Sequence, residues 1–555
     1  MNIRVVIFLM VVLAGAFLGQ FIAGTRPAQT PRIDPTVLET MAPYMLQPID
    51  REKHRVLVVG WDGASFEFLD PLLRTGRMPH LESILRRGVS ANLASTIIPI
   101  SSAAWTTATT GKWPAKTDVF SFFKGVPDSY EIEVISSLQK KAPSLWRILN
   151  HHEKRCVVFG VPVTYPPEPV KDILVAGMLS PENADYTWPP ELADALRSLD
   201  FLPDLGIWRE QRILTRDLLY GQLEIKRHVV NALLAGNDWD LGFVVFKSLD
   251  VLKHRGVATP EERARIDELY IYLDGALGGL LALAGKNCDV IVLSDHGFTA
   301  YQNKIFLNGW LSEKGFTKLN EERMQEREAF DDPIAERRAS EHMTEISLLE
   351  LDRTIAFAGP CEGNFGSIQL NQKGREPNGI VDPSNREAVI DRILDSLSAA
   401  PVYPGGPPLV KRAMRATDLY RGPFESNLPD ILFEVHDSIF VEATAGIPSI
   451  VKLHTPLSDH TLDGFFAAAG PSFRYDRERG EASIVDITPT LLHLLDLPVY
   501  DDMDGAPRTD RLTIDRAVRK ETEPEALHAP AANVVYSEEE LKELKARLRS
   551  MAYTR

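Results

Sequence analysis

Six side chains in this sequence have the chemistry of divalent-metal ligands, and each stands at or just beyond the end of a predicted strand. They are three carboxylates and three imidazoles, namely Asp62, Asp250, His254, Asp295, His296 and His460. Six such groups could hold two cations with three ligands each, which leaves positions open for a phosphoryl oxygen and a nucleophile. A serine pair, Ser101 and Ser102, offers the hydroxyl group. The inventory predicts a two-metal phosphoryl hydrolase.

Two of the acidic candidates follow buried apolar runs. Residues 55–62 read RVLVVGWD, and residues 288–298 read CDVIVLSDHGF. Such β-branched runs are typical of parallel strands in an α/β sheet, whose carboxyl ends form the edge where ligands usually bind. Gly297 permits a sharp turn directly after the adjacent pair Asp295-His296. We therefore expect Asp62 and this pair to meet at one edge of the sheet.

Two further segments supply the other ligands. In DLGFVVFKSLDVLKH, a strand-like run is followed by Asp250 and His254 at positions i and i+4, so both could reach one cation from a single helical turn. In SDHTLDGFFAAAGPSF, His460 stands four residues before Gly464 and the next strand. We expect His460 to reach back to the same edge, and His454 is its competitor for the role of third imidazole.

The serine pair opens a short stretch with helical character. The segment TIIPISSAAWTTATTGKWP places Pro99 before the serines and closes with Thr110-Gly111. A serine at the start of a helix meets unpaired backbone N–H groups and the positive end of the helix dipole. Both features favour an alkoxide and an anionic phosphate.

Taken in order, these motifs resemble the alkaline phosphatase superfamily, most closely its type I phosphodiesterase and nucleotide pyrophosphatase branch, which includes bacterial predicted phosphohydrolases and phosphomutases. The motifs that carry the resemblance, between roughly residues 55 and 505, are GWDGAS, PISSAAWTTATTGKWP, SLDVLKH, SDHGF, DHTLDGFFAAAGP and IVDITPTLLHLLDLP. The resemblance implies an α/β fold with an alkaline-phosphatase-like, mostly parallel central sheet, helices on both of its faces, and cap insertions.

The resemblance also implies how the ligands are shared. One metal would be held by Asp250, His254 and His460, and the other by Asp62, Asp295 and His296, with the nucleophile's oxygen near it. Counting back from the Thr110-Gly111 anchor aligns the family's nucleophile with Ser101, which is our prediction, whereas counting forward from Pro99 under the eukaryotic pattern selects Ser102. Zinc fits this ligand set and the family, and manganese or another divalent ion stays open.

The activity implied is hydrolysis of a phosphodiester or pyrophosphate through a phosphoserine intermediate. A diester is preferred over a monoester because no arginine clamp for a doubly charged terminal phosphate matches the family pattern. The alternatives are a phosphomutase or phospho-head-group transferase that uses the same site, and a non-catalytic envelope binding or scaffold protein. The predicted substrate is a small phosphorylated molecule.

The composition of the chain excludes some classes of binding partner and of enzyme. The net charge of the 555-residue chain is −16, and a protein that binds nucleic acid polymers would instead need a basic face. The three cysteines, Cys156, Cys288 and Cys361, are far apart and imply neither a disulfide framework nor a thiolate cluster. None of them stands in the Cys-x-Pro-x-Arg context that a sulfatase requires.

The first 24 residues combine a basic start with an apolar run of about 20 residues, a length that spans a bilayer. Residues 1–24 are therefore predicted to be a signal peptide or an uncleaved N-terminal membrane anchor, with Ala14-Gly15-Ala16 as a possible cleavage context. Either alternative predicts a periplasmic or secreted, extracytoplasmic catalytic part.

The remaining boundaries follow the motifs. Residues 25–54 are predicted to be a tether and residues 55–510 a catalytic domain, with cap insertions at about 178–240 and 308–350. Residues 511–555 are predicted to form a C-terminal connection and an amphipathic helix that packs back on the body. A capping box at Ser537-Glu540 and leucines at helical spacing indicate this helix.

Overall fold

The computed structural model describes residues 33–126, 128–204, 208–209, 212–213, 215–328, 345–445, 449–528 and 536–550. Its strands in chain order are β1 (Arg55–Trp61), β2 (Val89–Ala94), β3 (Phe123–Gly125), β4 (Ile132–Val134), β5 (Cys156–Phe159), β6 (Ile173–Val175), β7 (Thr187–Trp188), β8 (Trp208–Arg209), β9 (Arg212–Ile213), β10 (Leu241–Phe246), β11 (Cys288–Leu293), β12 (Gly297–Phe306), β13 (Ala356–Ala358), β14 (Phe365–Leu370), β15 (Val410–Arg415), β16 (Ile431–Val435), β17 (Ile439–Glu442), β18 (Ile450–Thr461), β19 (Asp463–Ala469), β20 (Arg479–Ser483), β21 (Val499–Tyr500) and β22 (Lys520–Glu521).

Nine strands form the central sheet in the order β20-β2-β19-β11-β1-β10-β5-β6-β7. Strand β1 lies between β10 and β11 and is parallel to both, while β19 and β7 run antiparallel to their neighbours. Every residue of β1, β10 and β11 is buried, as their continuous apolar sequences predict for strands covered on both faces. The mostly parallel α/β sheet expected from the sequence is confirmed.

Helices pack around this sheet. The α-helices of the described residues are Pro35–Met41, Phe66–Arg74, Pro79–Leu85, Ser101–Thr110, Pro114–Thr117, Leu145–His151, Leu192–Arg197, Arg216–Gly236, Ser248–Lys253, Pro260–Ala284, Leu307–Glu313, Glu321–Glu328, Arg386–Ala399, Ala416–Leu419, Ile487–Leu494 and Glu538–Ser550. The helix Pro260–Ala284 contacts β1 and β11, and Arg216–Gly236 contacts β5. Thr259 caps the former with a capping box, which satisfies backbone N–H groups of its first turn.

A second layer extends from the carboxyl edge of the central sheet. It contains a three-stranded sheet, β17-β12-β18, and a four-stranded sheet, β13-β14-β16-β15, and has an apolar core of its own that includes Ile305, Trp310 and Phe433. Strand β12 begins at the residue after His296, and β18 ends one residue after His460. The insertion at this place therefore extends from 297 to 461 and is longer than the expected segment 308–350.

The other predicted insertion, 178–240, is only partly separate from the core. It contributes β7 to the edge of the central sheet, and its helix Arg216–Gly236 packs against β5. A helix in an α/β layer has to bury its apolar stripe against the sheet, and Val229, Leu233 and Leu234 are buried in this way.

The two chain ends pack on the body wherever they are described. Within the expected tether, the helix Pro35–Met41 contacts Arg216–Gly236 and buries Val37 and Met41. At the other end, Ser537 and Glu540 form the predicted capping box and Leu544 is buried. The predicted signal peptide or anchor, residues 1–24, lies outside the described residues. None of the helices in the described part of the chain has the length and apolar character to cross a bilayer.

Candidate metal centre and nucleophile

The six predicted ligands converge at the carboxyl edge of the central sheet. They come from the ends of β1 and β11, from the helix that follows β10, and from the end of β18. Five of the six side chains are fully buried, and the His254 side chain is 4% exposed. The parallel order of β10, β1 and β11 explains the convergence, because neighbouring parallel strands end on the same side of a sheet.

Asp250, His254 and His460 form one group, which we call the His254 set. The Oδ1 atom of Asp250 lies 3.1 Å from Nε2 of His254 and 3.1 Å from Nε2 of His460. The two Nε2 atoms are also 3.1 Å apart. The i, i+4 spacing brings the first two residues to one face of the helix Ser248–Lys253, and His460 arrives from β18 in the second layer. Three nitrogen and oxygen atoms thus face one another at distances that a shared cation would bridge.

Asp62, Asp295 and His296 form the other group, which we call the Asp62 set. Nε2 of His296 lies 3.2 Å from Oδ2 of Asp295 and 3.6 Å from Oδ1 of Asp62. One ligand atom from each of the three residues lies within 4.8 Å of the others. The His296 ring stacks on the His460 ring with centroids 3.6 Å apart, so the two sets are parts of one cluster.

Ser101 lies against the Asp62 set, at the first position of the helix Ser101–Thr110. Its Oγ is 3.1 Å from Nε2 of His296. The Ser102 hydroxyl is also buried, but it has no hydrogen-bond partner among the described residues. Of the two serines that the sequence leaves open, Ser101 is therefore the one whose oxygen stands beside the ligands.

Trp105 connects this helix to Asp62. Its indole Nε1 donates a hydrogen bond of 2.9 Å to Oδ2 of Asp62. The ring reaches this position across Gly60 of β1, where a Cβ atom would come within 2.5 Å of Cη2 of the indole. A side chain at residue 60 would force the indole to move, so the glycine permits the contact that orients the Asp62 carboxylate.

Supporting contacts fix the backbone around the ligands. Lys253 donates a hydrogen bond of 2.8 Å to the carbonyl of Gly63, the residue after Asp62, and another of 2.9 Å to the Tyr270 hydroxyl. The Tyr301 hydroxyl donates to the His460 carbonyl over 2.6 Å. Partners of this kind hold ligands in one orientation before any cation binds.

The charges of the two sets are balanced differently. Burial raises the pKa of Asp62 well above its usual value, and the charges of Asp295 and Asp250 add to this effect. Burial also raises the pKa of Asp295 to about 7 and lowers the pKa of His296 well below its usual range. For Asp250, burial has the same tendency, but His254 and His460 outweigh it and hold its pKa well below the ordinary value.

The donor set fits divalent metal ions. Each of the three ligand carboxylates has one buried oxygen without a hydrogen-bond partner among the described residues, namely Oδ1 of Asp62, Oδ2 of Asp250 and Oδ2 of Asp295. A buried anionic oxygen without a partner is costly, and a cation bound between these residues would remove the cost. Mixed imidazole and carboxylate ligands suit zinc, and also manganese and other first-row divalent ions.

The structure adds residues that the sequence analysis did not select. Asp459 lies with His254 and His460 in a further group of ligand atoms within 4.8 Å, and Oε1 of the buried Glu362 is 3.5 Å from Nδ1 of His460. Asp459-His460 repeats the Asp295-His296 dipeptide, a signal that could have identified the former acid. No sequence signal singled out Glu362. His454, the competing imidazole, is exposed on β18.

Comparison with solved structures shows a known fold. Phosphonoacetate hydrolase from Sinorhizobium meliloti 1021, solved with phosphonoformate, is similar with a TM-score of 0.53 and 15% identity, covering 80% of this chain and 95% of that one. Murine ectonucleotide pyrophosphatase/phosphodiesterase 5 has a TM-score of 0.49 and 16% identity, covering 83% of this chain and 100% of that one. At 15% identity, the similarity to phosphonoacetate hydrolase shows a shared fold and no more. No curated protein sequence matches the chain.

Comparison with protein families gives a direct assignment. The sequence profile of the family described as type I phosphodiesterase / nucleotide pyrophosphatase matches residues 56–463. This range contains Ser101 and all six ligand residues. Enzymes of the family depend on metal ions, typically in a two-metal site. Because the match covers well over half of the sequence, the chain belongs to the type I phosphodiesterase/nucleotide pyrophosphatase family and is a phosphoester hydrolase.

Proposed function

We propose that this protein hydrolyses small phosphodiesters or pyrophosphates outside the cytoplasm, with Ser101 as the nucleophile that forms a phosphoserine intermediate. The observation that carries the proposal is the position of the Ser101 oxygen, 3.1 Å from His296 inside a cluster of six metal-ligand side chains. A hydroxyl in that place meets the requirements for attack on a phosphoryl group that the same cluster binds.

The His254 set and the Asp62 set would each hold one divalent ion. Two such ions would polarise the phosphoryl group and favour the ionised form of the serine hydroxyl. The chain's own groups support the same charge distribution. Ser101 begins a helix of ten residues, and the unpaired N–H groups of a first helical turn favour an anionic phosphate.

The reaction has two steps. The Ser101 oxygen forms a bond to phosphorus while the bond from phosphorus to the leaving oxygen breaks, and the electron pair departs with the leaving group. A water molecule then cleaves the phosphoserine and restores the hydroxyl. Trp105 keeps the Asp62 carboxylate oriented in both steps, since its hydrogen bond does not depend on the substrate.

The test combines metal analysis with hydrolysis of bis-p-nitrophenyl phosphate and p-nitrophenyl phosphate by the purified protein. We expect about two ions per chain and faster cleavage of the diester. Ser101→Ala should lower kcat by about 10³-fold or more, whereas Ser102→Ala, the matched control, should stay within about tenfold of the unaltered protein.

Three results would change this assignment. Full activity of Ser101→Ala would exclude the nucleophile, and absence of bound metal would exclude the mechanism. When glycerol is supplied with bis-p-nitrophenyl phosphate, formation of glyceryl p-nitrophenyl phosphate in place of p-nitrophenyl phosphate would instead identify a phosphotransferase. Each result is read from the same purified protein, so the three are separable.

The extracytoplasmic location rests on the basic and apolar sequence of residues 1–24. It predicts that externally added protease digests the protein in cells whose outer envelope has been opened but whose cytoplasm is sealed. A protein that stays protected under these conditions, while a periplasmic control is digested, would contradict the location.

A further inference from the structure

A turn of strained backbone leads into Ser101. It comprises residues 96–100, in the connection between β2 and the helix Ser101–Thr110, and we call it the nucleophile turn. At its centre, Ile98 has a φ of +64° and is fully buried. A positive φ is a genuine outlier for a β-branched residue, and a residue that precedes a proline, as Ile98 precedes Pro99, is normally extended. The local sequence does not favour this conformation, so other contacts have to hold it.

Two hydrogen bonds within the turn meet at the Ile98 carbonyl. The N–H of Ile100 donates to it over 2.8 Å, and the hydroxyl of Thr96 donates to it over 3.1 Å. Thr96 is fully buried and Ile100 is 3% exposed, so water does not compete for these bonds. Because the two donors lie on either side of Ile98 in the chain, the bonds close the backbone around it and help to keep it in the left-handed region.

Tyr420 adds a contact from outside the turn. Its hydroxyl oxygen accepts a hydrogen bond of 2.8 Å from the N–H of Ile97, and the residue is 1% exposed. The Tyr420 ring packs against the Trp113 ring with centroids 5.4 Å apart, which limits how far the hydroxyl can move. Tyr420 belongs to the insertion from 297 to 461, so this bond joins that insertion to the backbone that leads to Ser101.

The carbonyl of Pro99 links the turn to a predicted metal ligand. Its oxygen lies 2.8 Å from Nδ1 of His460. A carbonyl oxygen can only accept, so Nδ1 carries a proton and donates it. In the neutral ring the lone pair is then on Nε2, which lies 3.1 Å from Oδ1 of Asp250 and 3.1 Å from Nε2 of His254. The group that orients this ligand is therefore only two residues before Ser101.

We propose that Thr96, Ile98 and Tyr420 are positioning residues that hold the nucleophile turn in its strained conformation and thereby fix Ser101 and His460 relative to each other. The proposal rests on the proposed function, in which Ser101 is the nucleophile. A return of Ile98 to a negative φ would rotate the chain that follows it. The Pro99 carbonyl would then leave His460, and the first residue of the helix would leave the cluster.

A fixed separation matters because the two groups come from different layers. Ser101 follows β2 of the central sheet and lies against the Asp62 set, whereas His460 lies near the end of β18 and belongs to the His254 set. Attack on phosphorus requires the reacting atoms to be about 3–3.5 Å apart and aligned. A small shift between the layers would disturb that alignment, and the hydrogen bond from His460 to the Pro99 carbonyl opposes such a shift.

The test compares alanine with glycine at position 98. Both substitutions remove the packing of the isoleucine, but only glycine adopts a positive φ without strain. Ile98→Ala should lower kcat for bis-p-nitrophenyl phosphate by about tenfold or more, with KM within about threefold, because a relaxed turn removes active molecules and leaves the groups that bind substrate. Ile98→Gly should raise kcat about fivefold or more above that of Ile98→Ala and should melt about 1–3 °C higher. A position that only stabilises the fold would not couple activity to φ.

Val163 provides the matched control. It is a β-branched residue in the loop after β5, is 2% exposed and has a φ of +57°. Val163→Gly should therefore also melt above Val163→Ala, but the kcat of both should stay within about threefold of the unaltered protein. This pair separates relief of backbone strain in general from strain that positions Ser101.

Tyr420→Phe tests the contact from the insertion with the ring left in place. It should lower kcat by about three- to tenfold in the unaltered protein, and by less than about twofold in the Ile98→Gly background, because glycine needs no contact to hold the conformation. Tyr500→Phe is the control, since Tyr500 is also buried and its hydroxyl lies 3.1 Å from Nε2 of His152. Equal losses from Tyr420→Phe in both backgrounds would contradict the role of Tyr420.

Metal affinity gives a readout that needs no turnover. In competition with a fluorescent chelator, Ile98→Ala should bind one of the two ions about threefold or more weakly, and Ile98→Gly should recover this affinity, because His460 regains the Pro99 carbonyl. If Ser101→Ala keeps full activity but this pattern of affinities is found, the proposed function fails and the link from the turn to His460 stands. If Ile98→Gly is no better than Ile98→Ala in kcat and in affinity, the positioning role is overturned.

Discussion

The His254 set and the Asp62 set are similar in size and burial but opposite in charge balance. The former places one carboxylate between two imidazoles, and its ionised form is stabilised within the protein. The latter has two carboxylates and one imidazole, and all three are shifted toward their neutral forms. A buried excess of negative charge has to be neutralised by protons or by a cation. The Asp62 set therefore depends more on metal, and it is also the set that Ser101 touches.

The largest expected effect is a difference in activity between variants that each remove one ligand, one in the Asp62 set and one in the His254 set. Asp62→Ala should leave about one ion per chain and lower kcat by about 10³-fold or more, because it removes both a ligand and the partner of Trp105. His254→Ala should also remove one ion but cost about 10²-fold, since Ser101 and the Asp62 set remain together. Metal content and turnover of bis-p-nitrophenyl phosphate measure both. Two ions per chain in Asp62→Ala would contradict the assignment of one ion to the Asp62 set.

A second prediction concerns the metal-free protein. The pKa of Asp295 is raised to about 7 from 3.8, so between these values the folded state keeps a proton that the unfolded state has released. The free energy of unfolding should therefore fall as the pH rises from about 4 to about 7. Asp295→Asn should remove this dependence and stabilise the chelated protein at pH 8 by about 2–4 kcal/mol.

Urea titrations of the chelated protein at a series of pH values measure this free energy of unfolding, and in them Asp250→Asn should change stability in the opposite direction to Asp295→Asn. The pKa of Asp250 is held below its ordinary value, so its ionised form contributes stability above that value, and this contribution is lost as the pH falls. The amide should destabilise the chelated protein at neutral pH. If both substitutions change stability in the same direction, the difference in charge balance between the sets is refuted.

A third prediction tests the orientation of Asp62. Trp105→Phe keeps an aromatic ring over Gly60 but removes the N–H donor, and we expect about a tenfold loss of metal affinity or of kcat. Competition with a fluorescent chelator measures the affinity. Trp146→Phe is the matched control, because its indole donates to Glu168, away from the cluster. Equal losses in the two variants would mean that the effect is general destabilisation.

The smallest effect is expected at the His254 set. Tyr301→Phe removes the hydroxyl that donates to the His460 carbonyl and leaves the ring in place. One neutral hydrogen bond contributes about 0.5–1.5 kcal/mol, so kcat/KM should fall by about two- to tenfold. Tyr186→Phe, in the 178–240 segment, serves as control. A loss as large as that of Trp105→Phe would show that both sets depend equally on their supporting contacts.

Much of the fold could be predicted from short stretches of sequence. The apolar runs that became β1, β10 and β11 are continuous, and their length and β-branched content indicate buried parallel strands. The size of the second layer could not be predicted from such local patterns. Its strands include the long and only partly buried β12 and β18, and the pairing of its strands, such as β13 with β14, depends on contacts that no local period reveals.

The sequence by itself determined the chemical types of the ligands and their local spacing. Adjacency fixes Asp295 beside His296, and helical geometry brings Asp250 and His254 to one face. Only the tertiary structure decided which groups meet across the chain. His460 and Asp250 are 210 residues apart in sequence, and His296 and Ser101 are 195 residues apart. Sheet order and the return of β18 make these contacts, and such long-range pairings depend on the packing of the whole domain, which no single segment specifies.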